Sequence, residues 1–216
     1  MKIDDDTKQF IKLRLENKVP EVEDLSPIEL REMRASMAAV PPEHQVQINH
    51  IKDITIKSEN RDLKLREYSN NNNNDQPLII FFHGGGFVMG DLESHDLVCR
   101  HLCKQTNATI IAVDYKLAPE HKFPAAITDT IDAITEIKSR ADEFNIDQNK
   151  VILCGGGANL NNIREHASSF LNTNVRIGRP IGLIDIPEIV HTPTFSCLTG
   201  LLIKSLQHDK KLISNN

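Results

Sequence analysis

The chain has 216 residues, a net charge of −5, 39% apolar and 25% charged residues. That balance excludes a mainly disordered, collagen-like or coiled-coil chain. Mild acidity without a basic block, no Trp and two Tyr argue against a nucleic-acid surface or a base-stacking platform.

The first 40 residues read as helices. Phe10, Ile11, Leu13 and Leu15 supply a mixed apolar face, and Val19-Pro20 breaks it. Ser26-Pro27-Ile28-Glu29 is a helix start, with Ser as N-cap, Pro at the first helical position and Glu placed to close a capping box. Leu30, Met33 and Met37 follow at helical spacing until Pro41-Pro42 stops them. The period then changes. Ile54/Ile56 and Leu63/Leu65 alternate as half-buried antiparallel strands do. Asn70 to Asn74, closed by Asp75-Gln76-Pro77, reads as a solvated loop. Leu78 to Phe82 is an apolar run suited to a strand buried on both faces. A helix is predicted from about Ser94 to Gln105, a buried strand at Thr109–Val113, and a helix after Pro124 to about Glu143. A third buried strand, Val151 to Cys154, feeds Gly155-Gly156-Gly157 and another helix. This alternation marks an α/β fold with a mostly parallel sheet, antiparallel N-terminal strands and flanking helices.

His83-Gly84-Gly85-Gly86-Phe87 follows a predicted strand directly. Three residues without Cβ let backbone N–H groups turn toward a ligand or a developing oxyanion. Downstream stand Glu93-Ser94-His95-Asp96 and Asp114-Tyr115-Lys116-Leu117-Ala118-Pro119-Glu120-His121. In order and spacing, residues 28–154 resemble the hormone-sensitive-lipase-like branch of the α/β-hydrolases, a family of carboxylesterases and lipases. The resemblance implies an oxyanion-hole loop at His83, Gly84, Gly85 and Gly86, and a small acyl ester or apolar molecule as ligand.

Two other constellations have plainer readings. His95, Cys99 and Cys103 share one helix face at i, i+4, i+8. A zinc site needs four ligands at typical spacings, so a packed face is the expectation, with no metal or cofactor. Asp114 and His121 are motif residues of a structural turn in the resembled family.

The resemblance breaks at the third strand. The family places a nucleophilic Ser there in Gly-Asp-Ser-Ala-Gly, with Asp and His later. This chain has Cys154-Gly155-Gly156-Gly157-Ala158-Asn159-Leu160. Cys154 falls at the strand end and not at the tip of the turn. Asp185, His191 and His208 sit in no matching motif, so no catalytic residue is assigned. Residues 151–206 have a second resemblance, carried by Gly155-Gly156-Gly157-Ala158, Val175-Arg176-Ile177-Gly178-Arg179-Pro180 and Gly200-Leu201-Leu202. They resemble the C-terminal end of FtsA, the cell-division actin-like ATPase, whose glycine turn lies against the adenosine of ATP. That implies a remnant adenosine-type turn at Gly155, Gly156, Gly157 and Ala158, and a join of two families near residues 147–156.

The expected organisation is an N-terminal helical cap segment over 1–42, half of a hydrolase domain over 43–150, and a β-α-β-α tail over 151–216, with a strand near Ile181 to Ile186. The expected function is a carboxylic ester hydrolase or lipase-like protein that is catalytically incomplete. The alternative is a non-catalytic, ligand- or partner-binding fusion carrying the FtsA-like fragment. The acidic start, Met1 to Asp6, reads as lacking a signal peptide. No apolar run approaches the roughly 20 residues of a membrane span. Four cysteines, Cys99, Cys103, Cys154 and Cys197, are too few to staple the chain, so a cytoplasmic protein with free thiols is expected.

Overall fold

A computed structural model describes residues 5–16, 24–38, 45–57, 61–70, 77–144, 151–154, 156–159, 161–180 and 188–192. The Asn-rich loop beyond residue 70, Gly155, the strand expected near 181–186 and the segment 193–206 lie outside them.

Two helices come first, α1 (Asp5–Glu16) and α2 (Pro27–Ala38). The capping box at the start of α2 forms as its residues dictate. Ser26 N–H donates to Glu29 at 2.8 Å, and Glu29 N–H to Ser26 Oγ at 3.3 Å.

Strands β1 (His50–Lys57) and β2 (Asp62–Ser69) pair antiparallel along their whole length. Their alternation buries Ile54, Ile56, Leu63 and Leu65. Then come β3 (Leu78–Phe82), α3 (Asp96–Thr106), β4 (Thr109–Val113) and α4 (Ala125–Ser139). The sheet order is β1-β2-β4-β3. β4 runs antiparallel to β2 and parallel to β3, so β3-α3-β4 is a crossover unit of the α/β type.

β4 is buried at every position. Ile111 and Val113 face a cluster with Leu63, Leu65, Ala133 and Ile137 of α4. Ile110 and Ala112 face the other side, with Tyr68, Cys99 and Cys103 of α3. A sheet covered by a helix on each face follows, as a strand apolar at successive positions requires. β3 differs from the sequence expectation: all five of its side chains are half-buried. Among the described residues it is the outer strand of this sheet, with one neighbour, so its flank is less covered.

The last strands stand apart. β5 (Val151–Leu153) and β6 (Val175–Ile177) pair parallel, linked by a 3-10 turn at Gly156–Asn159 and by α5 (Ile163–Leu171). Among the described residues they form a separate two-stranded sheet. The expectation of a buried third strand is therefore corrected: Ile152 is 47% exposed and Cys154 is exposed. With one ladder partner, β5 presents its outer face to solvent. The β-α-β part of the expected tail is present.

Candidate functional site: a glycine loop with aimed amides

His83 to Gly90 leaves β3 as a tight loop. Gly85, Gly86 and Gly90 have φ of 127°, 63° and 103°, and Phe87 has φ of 62°. A bulky residue in the left-handed region is an outlier that its surroundings must hold. Here Phe87 C=O accepts Ala118 N–H at 2.8 Å, and the next carbonyl, that of Val88, accepts Arg31 Nε at 2.7 Å.

Three successive carbonyls of this loop are pinned. Tyr115 Oη donates to His83 C=O at 2.5 Å. His83 Nδ1 lies 2.9 Å from Gly84 C=O. A carbonyl only accepts, so Nδ1 is the donor, and Nε2 is buried without a partner among the described residues. Gly85 C=O accepts from Val88 and Met89 N–H, both at 3.1 Å. A trans peptide points its C=O and N–H in opposite directions, so each pinned carbonyl aims the next amide away from its pin. Those amides belong to Gly84, Gly85 and Gly86. Among the described residues none of the three donates a hydrogen bond. Three successive N–H groups are thus left without a partner among the described residues, as an anion-accepting nest requires.

The loop borders a cleft of about 280 Å³ lined by Phe82, His83, Gly84, Gly85, Gly86, Phe87, Tyr115 and Thr130. Its walls are largely aromatic. Tyr115 Oη is engaged by His83, and Thr130 Oγ1 donates to Ala126 C=O at 2.8 Å. Both side-chain hydroxyls of the cleft are therefore engaged.

The support beneath the loop is a column of rings. His95 stacks on His83 at 5.2 Å, His83 on Tyr115 at 4.2 Å, and Phe87 meets Tyr115 edge-on at 6.2 Å. Burial, with the neighbouring His83, pushes His95 below the ordinary histidine value. Burial likewise raises the Tyr115 phenol, which keeps its donor proton in place.

Ion pairs fix the adjoining turn. Asp129, fully buried on α4, accepts Lys116 N–H at 2.8 Å and Arg61 at 2.7 Å. Arg61 also donates to Asp114 C=O at 2.7 Å. Tyr115 is thereby held between two anchored residues. Arg31 of α2 donates from both terminal guanidinium nitrogens to Glu120 at 2.9 Å, and from one of them to Ala118 C=O at 2.7 Å. That fork holds the Glu120 carboxyl at about 2.

Sequence reasoning missed Arg31, Arg61 and Asp129. Asp129 carried a signal, being a carboxylate on the inward stripe with Ala133 and Ile137. The arginines carried none, because their partners lie far along the chain. Asp114 and His121 occupy the expected turn, with His121 N–H donating to Leu117 C=O at 2.9 Å. Cys99 and Cys103 are fully buried in the core on the packed face of α3. The turn at Gly156, Gly157 and Ala158 does not join the glycine loop: among the described residues none of 151–159 lines the cleft.

Residues 79–163 match the family of the alpha/beta hydrolase fold. This segment has the α/β-hydrolase fold. An arylesterase of Saccharolobus solfataricus is 33% identical over 115 residues, 52% of this chain and 38% of that protein. An acetyl esterase of Salmonella paratyphi B is 30% identical over 99 residues, 46% of this chain and 31% of that protein. The chain thus spans about a third of the length of the curated relatives it matches. Among solved structures, an arylesterase aligns with a TM-score of 0.66 at 27% identity, covering 86% of this chain and 63% of that one. The hydrolase match passes through residues 155–158 to residue 163, and the structural alignment takes in part of 151–206. These findings lend no support to an FtsA-like segment joined at 147–156. Within the hydrolase segment the cleft loop coincides with His83 to Gly86. No helix among the described residues is long and apolar enough to cross a membrane.

Proposed function

We propose that this chain binds the acyl oxygen of a short-chain carboxylic ester or carboxylic acid on the amides of Gly84, Gly85 and Gly86, and is catalytically incomplete. The observation that carries the reading is the set of three pinned carbonyls with three unpaired amides beside an aromatic cleft. A carbonyl or carboxylate oxygen matches the amides, and a small acyl body matches Phe82, Phe87 and the Tyr115 ring. The volume of about 280 Å³ lies just below the range of small-molecule sites, roughly 300–1,000 Å³, which favours a short chain.

Ester hydrolysis needs more than an oxyanion site. It needs a nucleophile at the β5 turn and a base to take its proton. The stretch Val151 to Leu160 holds no Ser or Thr, and its Cys154 is outside the cleft. An oxyanion site alone retains only a residual part of hydrolytic catalysis. The hydrolase match through residue 163 supports treating Gly155 to Ala158 as the site of a lost elbow, so the alternative of a nucleotide-binding fusion is not adopted.

Incubation with p-nitrophenyl butyrate tests the reading. Release of p-nitrophenol at the buffer rate is expected. Turnover that disappears in Gly85→Ala would overturn the inactive half of the proposal.

A further inference from the structure

We infer that Tyr115 is a positioning residue that aims the Gly84 amide into the cleft. The inference rests on the acyl-binding reading above and names what sets its geometry.

The His83–Gly84 peptide is the first of the loop, and β3 ends one residue before it. Its orientation is not fixed by a strand ladder. Glycine at 84 removes the Cβ that would resist a flip, and nothing lies within 4 Å of a Cβ built there. The hydrogen bond from Tyr115 Oη to His83 C=O is the contact that selects one face. The other two amides are held by different means, Gly85 by His83 Nδ1 and Gly86 by the turn at Val88 and Met89. Loss of the hydroxyl should therefore act on Gly84 first.

Among the described residues the hydroxyl has no other hydrogen-bond partner, and its ring packs face-on against His83. Tyr115→Phe removes the donor and leaves the stack. The buried His83 C=O then lacks a donor partner in that pose. A flip that turns the carbonyl toward the open cleft satisfies it with water, and the Gly84 N–H leaves the site.

The test is the 1H–15N residual dipolar coupling of Gly84 in the ligand-free protein, which reports the direction of that N–H bond. Tyr115→Phe should change the Gly84 coupling while those of the β2 and β4 amides stay as in the parent. An unchanged Gly84 coupling overturns the inference. If Tyr115→Phe does not fold, 3,5-difluorotyrosine placed at position 115 keeps the fold and loses its proton at a lower pH. The Gly84 coupling should then move as that hydroxyl ionises, and a coupling that stays constant overturns the inference. Butyrate titration separates the two layers. Parent protein that binds butyrate roughly tenfold more tightly than Tyr115→Phe is the expected outcome, in line with one hydrogen bond to a charged group. Parent protein that shows no binding overturns the acyl-binding reading, whereas the coupling alone decides the role of Tyr115.

Discussion

Gly84 and Gly85 adjoin in the loop yet answer differently to an added methyl group. A Cβ on Gly85 would lie 1.9 Å from Met89 C=O, at a φ of 127° that L residues avoid. Gly85→Ala is expected to lower stability by more than about 1 kcal/mol. A Cβ on Gly84 meets nothing within 4 Å, so Gly84→Ala should stay within about 0.5 kcal/mol of the parent. Urea unfolding of the two variants checks both values. The run of three glycines was legible in the sequence. The division of labour was not, because it depends on Met89 and on Gly90, whose own Cβ would press on His83 Nδ1 at 2.3 Å. His95 supplies a pH dependence at the same scale. Its folded value is depressed by burial beside His83, so between the folded and unfolded values the unfolded chain binds more protons. Stability should fall as pH drops through about 6.5 and level off below the folded value. The urea midpoint followed against pH should lose this step in His95→Asn.

At the scale of elements, ion pairs join segments that the chain keeps far apart. Asp129 is fully buried with Arg61 and Lys116 against it. Asp129→Ala leaves both cations without their partner and is expected to cost about 3–5 kcal/mol, read as a lower urea midpoint. Arg31 and Glu120 tie α2 to the turn after β4. In Arg31→Met the Glu120 carboxyl should move from about 2 up toward its ordinary value of 4.5, as read from its side-chain carbonyl shift in an NMR titration. A depressed carboxyl contributes stability that is present above the unfolded value and is lost as pH falls toward about 2, so the latch is expected to hold at neutral pH. The capping box of α2 and the alternation of β1 and β2 were legible because both depend on neighbours within a few residues. The β3 edge position was not: an apolar run such as Leu78–Phe82 is the same whether one or two strands flank it.

Across the whole molecule, the described residues make two sheets and not one. The four-stranded sheet has a helix on each face, while β5 and β6 share a single ladder with Ile152 exposed. Strand, glycine turn and helix at 151–171 were legible in order. Their separation from β3 was not, since strand order is set by long-range pairing that periodicity does not encode. The resemblance to a second family drew on the same ambiguity, because an apolar strand and a glycine turn serve either fold. Amide exchange should report the two sheets separately, with β2 and β4 slowest and β5 and β6 faster by local opening.

The central claim is that Gly84, Gly85 and Gly86 present their amides to an acyl oxygen. The direct measurement is a titration of 15N-labelled protein with butyrate, following these three amides by NMR. Saturable downfield shifts of all three, with the β2 amides unmoved, are the expected result. Binding that shifts other residues and leaves Gly84, Gly85 and Gly86 unchanged, or no binding at all, would contradict it.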